Sequence, residues 1–482
     1  MFRRSFSTLA PVSLALTLGA CDLAPKYVEP ALPVPVASPQ GPAYAGPAGE
    51  GAIVPADTAW RDFFVDPRLA RVIETALANN RDLRLAVANV EQARAQYRVQ
   101  RADLLPTVGV GGSATYQDMP FAQMQGGGGA VSGRTDIYQA QVGISAWEID
   151  LFGRVRNLSR AAQENYFASV ENRNAAQTAL IAETASAWLT MAADQERLRI
   201  ARDLESTFGQ TLDLTRARFE KGIASELEVR QAQTSYDQAR ADIAEATTLV
   251  AQDQNALNLL AGTTVPTADL PAAMPDGDVT LANLPADLPS TLLLRRPDIA
   301  AAEHQLRAAN ANIGAARAAF FPNISLTAAF GTLSMGLSNL FGSGSDFWSV
   351  APSASVPIFD FGRNQGNLRL AKATYDAMLA SYEKSVQTGF REVADALARR
   401  GTMTAQLEAR TSLRDSARIA YRLSEARFRA GVDPFLTTLD SQRTFYAAEQ
   451  GLLATRLVRA VNMVELYRAM GGGLEDSAPP AP

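Results

Sequence analysis

The run LPSTLLLRRPDIAAAEHQLRAANANIGAARAAFFPNISLTAAF, Leu288 to Phe330, changes its hydrophobic period once. From about Pro297 to Phe320 it reads as a helix, with Pro297 in a first turn that has no use for its missing N–H. Pro322 ends that helix, because proline cannot continue the ladder. Beyond it, Ile324, Leu326, Ala328 and Phe330 alternate with Ser325, Thr327 and Ala329, the period of a strand. Trp348, Val350, Ala354, Val356 and Ile358 share one face of a further strand, with Ser349, Ser353 and Ser355 on the other.

The same switch occurs earlier in the chain. Asp82-Leu83, Ala93, Ala95, Ala102 and Pro106 recur as Asp298-Ile299, Ala309, Ala311, Ala318 and Pro322, at a constant offset of 216. A helix from about Asn80 to Leu104 therefore precedes Pro106. Tyr138, Ala140, Val142, Ile144 and Ala146 then alternate with Gln139, Gln141, Gly143 and Ser145. The glycine-rich Thr107–Tyr116 run is the weakest strand signal. Further on, Phe152-Gly153-Arg154, Ala217-Arg218-Phe219, Gly222, Leu227, Gln233 and Gly262 recur at an offset of 209. The first copy is thus longer between Pro106 and Phe152, most simply in the Gly-rich loop Met119–Arg134. Each copy reads helix, two strands, long helix, turn, helix.

After Gly153 and Gly362 come helical stretches reaching about Phe219 and Phe428. At 1.5 Å per residue, ~60 residues span ~90 Å, longer than a globular core needs. Alanines (Ala175, Ala176, Ala182, Ala185, Ala187) allow close helix packing, as in a coiled coil. Gly222 and Gly431 suit the left-handed position that ends a helix. Ser225 and Glu228 have the spacing of a capping box. Asp433 is placed to cap the matching helix, with Pro434 at its first position.

The chain has 482 residues, a net charge of −5, one cysteine and one histidine. That balance carries no pull toward nucleic acid. It excludes an intramolecular disulfide and leaves no metal cluster, P-loop or nucleophile–base constellation, so no enzyme is expected. Arg3 and Arg4 precede an apolar stretch ending Leu18-Gly19-Ala20-Cys21, which resembles a bacterial lipobox rather than a plain secretory signal. Cys21 would then carry the lipid, palmitate included, with ~0.8 kcal/mol from each buried CH₂. His304 has no histidine or cysteine partner for a metal, and no cofactor is expected beyond this covalent lipid. No later segment has the ~18 apolar residues of a spanning helix. Any crossing must be a closed barrel, the other structure that satisfies its backbone in lipid. Four strands cannot close a channel, so either several chains pool strands or the hairpins are soluble.

The Leu288–Thr327 run resembles the signature of NodT-type outer-membrane efflux lipoproteins, relatives of the TolC/OprM-like outer membrane factors. Pro25–Pro30 (PKYVEP), Trp60 with Phe63-Phe64, Asp66-Pro67 and Leu69, the segment Arg427–Arg443 and Gly471-Gly472-Gly473 are similar too. The resemblance covers nearly the whole mature chain. It implies an α+β membrane protein and a homotrimer: a twelve-stranded β-barrel, four strands per chain, continuous with a long α-helical coiled-coil barrel, with an internal two-fold repeat. Residues 1–20 would be a signal peptide and 21–59 a lipidated extended tether. Residues 60–262 would be the first repeat (hairpin 107–149), 263–294 a linker, 295–471 the second repeat (hairpin 323–359) and 472–482 a tail.

The function implied is the outer-membrane duct of a tripartite RND-type (resistance-nodulation-division) efflux system that exports drugs or other small amphiphiles. Its partners would be a periplasmic adaptor, an inner-membrane pump reached indirectly, and outer-membrane lipid. The adaptor would dock at the turns Gly222, Ile223, Ala224, Ser225 and Gly431, Val432, Asp433, Pro434, Phe435. Leu423, Glu425 and Asp213 would line a periplasmic gate, with Arg427 and Arg429 holding it through salt bridges. Asp22, directly after the lipid-bearing residue, departs from the usual sorting signal. A duct for type I polypeptide secretion and a periplasmic coiled-coil scaffold are the alternatives; barrel insertion and the cargo discriminate them.

Overall fold

The computed structural model describes residues 22–37, 39–44, 58–120, 132–275, 277, 279–281 and 290–473. The expected signal peptide, Cys21 and most of the C-terminal tail lie outside these residues. Two compact units are present. One comprises Met1–Pro30, Val90–Ser169 and Ala302–Tyr382; the other comprises Ala31–Asn89, Val170–Ala301 and Glu383–Pro482. The elements, in order, are α1 (Trp60–Phe63), α2 (Pro67–Asn79), α3 (Arg81–Ala102), β1 (Val108–Pro120), β2 (Ser132–Glu148), α4 (Arg154–Glu220) and α5 (Glu226–Ala261). They continue with α6 (Pro297–Ala318), β3 (Asn323–Ser334), β4 (Asp346–Ser355), α7 (Arg363–Arg429) and α8 (Phe435–Ala469). Helices α4 and α7 have 67 residues each.

The first unit holds a four-stranded antiparallel sheet in the order β1-β2-β3-β4. Residues directly opposed across an antiparallel sheet share a face. Val110, Val142, Phe330 and Trp348 form one row across all four strands. Val108, Ile144, Ala328 and Val350 form the next on the same face. This face is open: Val110 is 87% exposed and Trp348 75%. The opposite face carries Gly109, Gly143, Ala329 and Ser349 in register. A bulge interrupts β2 between Ile144 and Trp147, where Ala146 has a positive φ of 48° and its N–H bonds Thr327 Oγ1.

Residues 22–27 have no regular secondary structure, yet they are held along α6. Arg317 donates to the Leu23 carbonyl, Asn310 to the Pro25 carbonyl, and the Tyr27 hydroxyl to Glu303. A Cβ at Gly314 would lie 2.8 Å from Ala24, so glycine is what admits the strap. The Pro/Ala/Gly composition that reads as a tether therefore begins as a docked segment.

The core of the second unit is built around Trp60, Phe63, Phe64, Leu69, Ile181, Trp188, Leu189 and Tyr467. Phe63 stacks on Tyr467 at 4.5 Å. Asp66 caps α2 by accepting from Arg68 N, with Pro67 at its start. Val265, Met274 and Val279, in the Pro-rich stretch after α5, join this core, and Trp188 Nε1 donates to the Asp269 carbonyl. Buried Arg296 pairs with Asp298 and Glu392 and donates to the Ala469 carbonyl.

Candidate functional site: the paired helical turns

Both α4 and α7 end in the same way. Gly222 and Gly431 have φ of +70° and +75°. Gly222 N bonds the Phe219 carbonyl and Ile223 N the Arg218 carbonyl; Gly431 N bonds Phe428 and Val432 N bonds Arg427. These are paired Schellman closures, which satisfy the last carbonyls of each helix. Ser225 then caps α5 in a complete capping box with Glu228.

The start of α8 departs from expectation. Pro434, not Asp433, occupies the N-cap, and no side chain caps the helix. The Asp433 carboxylate is taken instead by Arg427, at 2.6 and 2.8 Å. That hydrogen bond holds the Asp433 carboxyl below its ordinary range.

A small apolar cluster joins the two turns. Leu212, Ala232, Phe428, Phe435 and Leu439 are buried together. Phe428 lies 5.3 Å from Phe435, and the Arg218 guanidinium sits 4.7 Å over the Phe428 ring while donating to its carbonyl. Phe435 is only 1% exposed, so it supports the turn from within. Ile223, Leu227, Val432 and Leu436 are exposed apolar side chains at the two turns. Leu227 and Leu436 were visible in the sequence as repeat partners but carried no signal of a surface. Arg218 carried none either, because its contact with Phe428 crosses from one helix to another far along the chain.

The expected gate residues find partners locally. Asp213 lies 3.9 Å from Arg216 on α4, and Glu425 pairs with Arg429 at 2.7 Å on α7. Leu423 is exposed. Arg427 binds Asp433 within its own turn. Elsewhere in the helical unit, burial and the neighbouring Asp194 push Asp253 up to about 6.

Within the first unit, Asp22 accepts from Arg160, Asn157 and Ala24 N. Burial works against its charge, but these bonds outweigh it and hold the carboxyl at about 2. His304 contacts Glu164 at 2.7 Å and packs by Phe167, a structural role.

The profile of the family described as "Outer membrane efflux protein" matches residues 72–263 and 288–472. The probable efflux pump outer membrane protein TtgC of Pseudomonas putida is 46% identical over 469 residues, covering 97% of this chain and 96% of the relative. Outer membrane protein OprJ of Pseudomonas aeruginosa is 40% identical over 464 residues, covering 96% and 95%. The open-state crystal structure of the Neisseria gonorrhoeae MtrE outer membrane channel superposes with a TM-score of 0.84 at 39% identity, covering 94% and 99%. The chain belongs to the outer membrane efflux protein family, and it is an outer-membrane efflux channel protein of a Gram-negative bacterium.

Proposed function

We propose that three copies of the chain close a twelve-stranded barrel continuous with a coiled-coil helical barrel, each copy an internal two-fold repeat. The observation that carries this reading is the sheet. One face is a continuous apolar row, Val110, Val142, Phe330 and Trp348, and two strands lie at open edges. No described helix is long and apolar enough to cross a membrane. A sheet exposed to lipid must have its edges paired, and four strands are too few to close alone.

The duct serves a tripartite pump of the RND type and exports amphiphilic drugs or solvents. Its turns dock a periplasmic adaptor through Ile223, Leu227, Val432 and Leu436, which present apolar side chains beside fixed backbone. Asp213, Leu423 and Glu425 line the periplasmic constriction, where a ring of carboxylates favours cations. Cys21 carries the lipid, and Asp22, gripped by Arg160 and Asn157, fixes where that anchor begins. The chain itself performs no chemistry.

The test is complementation of a strain lacking its outer-membrane efflux channel. The wild-type chain should restore resistance to amphiphilic drugs. Val432→Asp with Ile223→Asp should insert normally but lose resistance and adaptor crosslinking. Full resistance in that variant would remove the turns from the docking surface.

A further inference from the structure

We infer that the edge strands of neighbouring copies pair in one register: Val350, Pro352 and Ala354 of β4, with Val356 and Ile358 just beyond it, oppose Tyr116, Ala114, Gly112, Val110 and Val108 of the next copy. The inference rests on the trimeric reading and adds to it which residues meet.

The template lies inside the chain, where the first hairpin hands over to the second. Ile149 N bonds the Ile324 carbonyl at 2.8 Å, and Trp147 opposes Leu326. Just outside the strands, the Phe152 ring stacks on Phe321 at 4.8 Å. The sequence duplication carries each partner to a counterpart. Phe152, at the exit of the first hairpin, corresponds to Phe361 at the exit of the second. Phe321, preceding Pro322, corresponds to Leu105, preceding Pro106. In the single chain Phe361 is 91% exposed and Leu105 71%. Their counterparts stack on each other; these two face solvent.

The register follows from the same correspondence. Val108 opposes Ile144, and its counterpart Ile324 opposes Ala354, so Ile144 corresponds to Ala354. Trp147, past the β2 bulge, corresponds to Val356 at the 209 offset. The bulge thus accounts for the last step of the offset, from 210 to 209, and β4 needs none. Carrying Ile144–Ala328 and Trp147–Leu326 across gives Ala354–Gly112 and Val356–Val110, both in a single unbroken register.

Side-chain chemistry supports this register independently. Val356 and Ile358, both exposed, meet Val110 and Val108, while Ser349, Ser353 and Ser355 meet Gln117, Ser113 and Gly111. A slip of one residue in either direction would set Val356 against a glycine, Gly109 or Gly111, and move every side chain to the wrong face. The helices agree as well. Ala161 packs with Ala308 and Ala311 in a buried cluster. The counterparts of Ala161 and Ala311, Leu370 and Ala95, are both exposed in the single chain, as expected for a contact completed by a second copy.

Ser353 and Ser113 of the next copy form a non-hydrogen-bonded pair in this register, with Cα atoms ~4.5 Å apart, within reach of a disulfide. The experiment oxidises Ser353→Cys/Ser113→Cys protein in outer membranes, where Cys21 is the only native cysteine. Controls carry Ser353→Cys with Gly111→Cys or Thr115→Cys, the two-residue slips. Each variant's particle mass is measured in detergent without oxidant, and Phe361→Cys/Leu105→Cys gives a second pair outside the strands. Covalent dimers and trimers several-fold more abundant in the Ser353/Ser113 and Phe361/Leu105 pairs than in the controls are expected. Trimers that crosslink better in a slipped pair, or in neither predicted pair, overturn the register and leave the trimer standing. Monomeric particles from wild-type protein overturn both.

Discussion

Arg427 and Asp433 close the α7–α8 turn on itself, with Nε and Nη2 on the two carboxylate oxygens at 2.6 and 2.8 Å. A proline holds the N-cap, so the carboxylate that the sequence offers as a cap is free to bind the guanidinium. The pair lies in solvent and orders the turn more than it stabilises the fold.

Its pH dependence has a definite sign. A carboxyl whose folded pKa is depressed contributes above its unfolded value of 3.8 and is lost as pH falls through the folded value. Adaptor binding should therefore not respond to this pair between about pH 5 and 8. Asp433→Asn should weaken binding at neutral pH without moving the melting temperature. A large drop in melting temperature would make the pair a structural element instead.

Asp253 behaves in the opposite way. Burial and Asp194 raise it to about 6. The folded state thus holds a proton that the unfolded chain releases, and stability falls as pH rises from about 4 to about 6. Asp253→Asn should flatten that window and stabilise the protein at pH 7 by about 1 kcal/mol, discounted because the carboxyl still sees solvent. Thermal melts of both proteins across this window check it; parallel curves would contradict it.

Arg296 is buried against Asp298 and Glu392. Arg296→Ala leaves Asp298 without its cation, Glu392 with only Arg468 at 3.6 Å, and the Ala469 carbonyl without its donor. A loss of about 3–5 kcal/mol is expected, read as a lowered denaturant midpoint or failure to accumulate. Near-wild-type stability would mean that the acids find other partners.

Phe435→Ala removes the ring that joins the two turns. Filling a buried site of this size is worth about 3–5 kcal/mol, here lost locally. Amide exchange should quicken at Phe428–Leu439 and Leu212–Ala232 while the Trp188–Tyr467 core stays protected. Uniform quickening would show that the tip is not a separate cooperative segment.

The sequence made legible whatever is encoded by neighbours in the chain. Pro106 and Pro322 end helices where expected, the two-residue alternation marks β2 and β3, and Gly222 and Gly431 close α4 and α7 through the left-handed geometry that their residue type permits. What it concealed depends on partners far away. Phe435 reads as a turn residue until Phe428 and Leu212 are seen to bury it. Residues 22–27 read as a tether until Arg317, Asn310 and Glu303 are seen to hold them. Asp433 reads as a cap because capping rules know nothing of Arg427.

The central claim is that the chain acts as a trimeric membrane channel. The most direct measurement is the protein mass of the detergent-solubilised particle, followed by reconstitution of that same particle in a planar bilayer. Three copies per particle, with cation-preferring conductance that changes in Glu425→Gln, is the expected result. A monomer that leaves the bilayer silent would contradict the account.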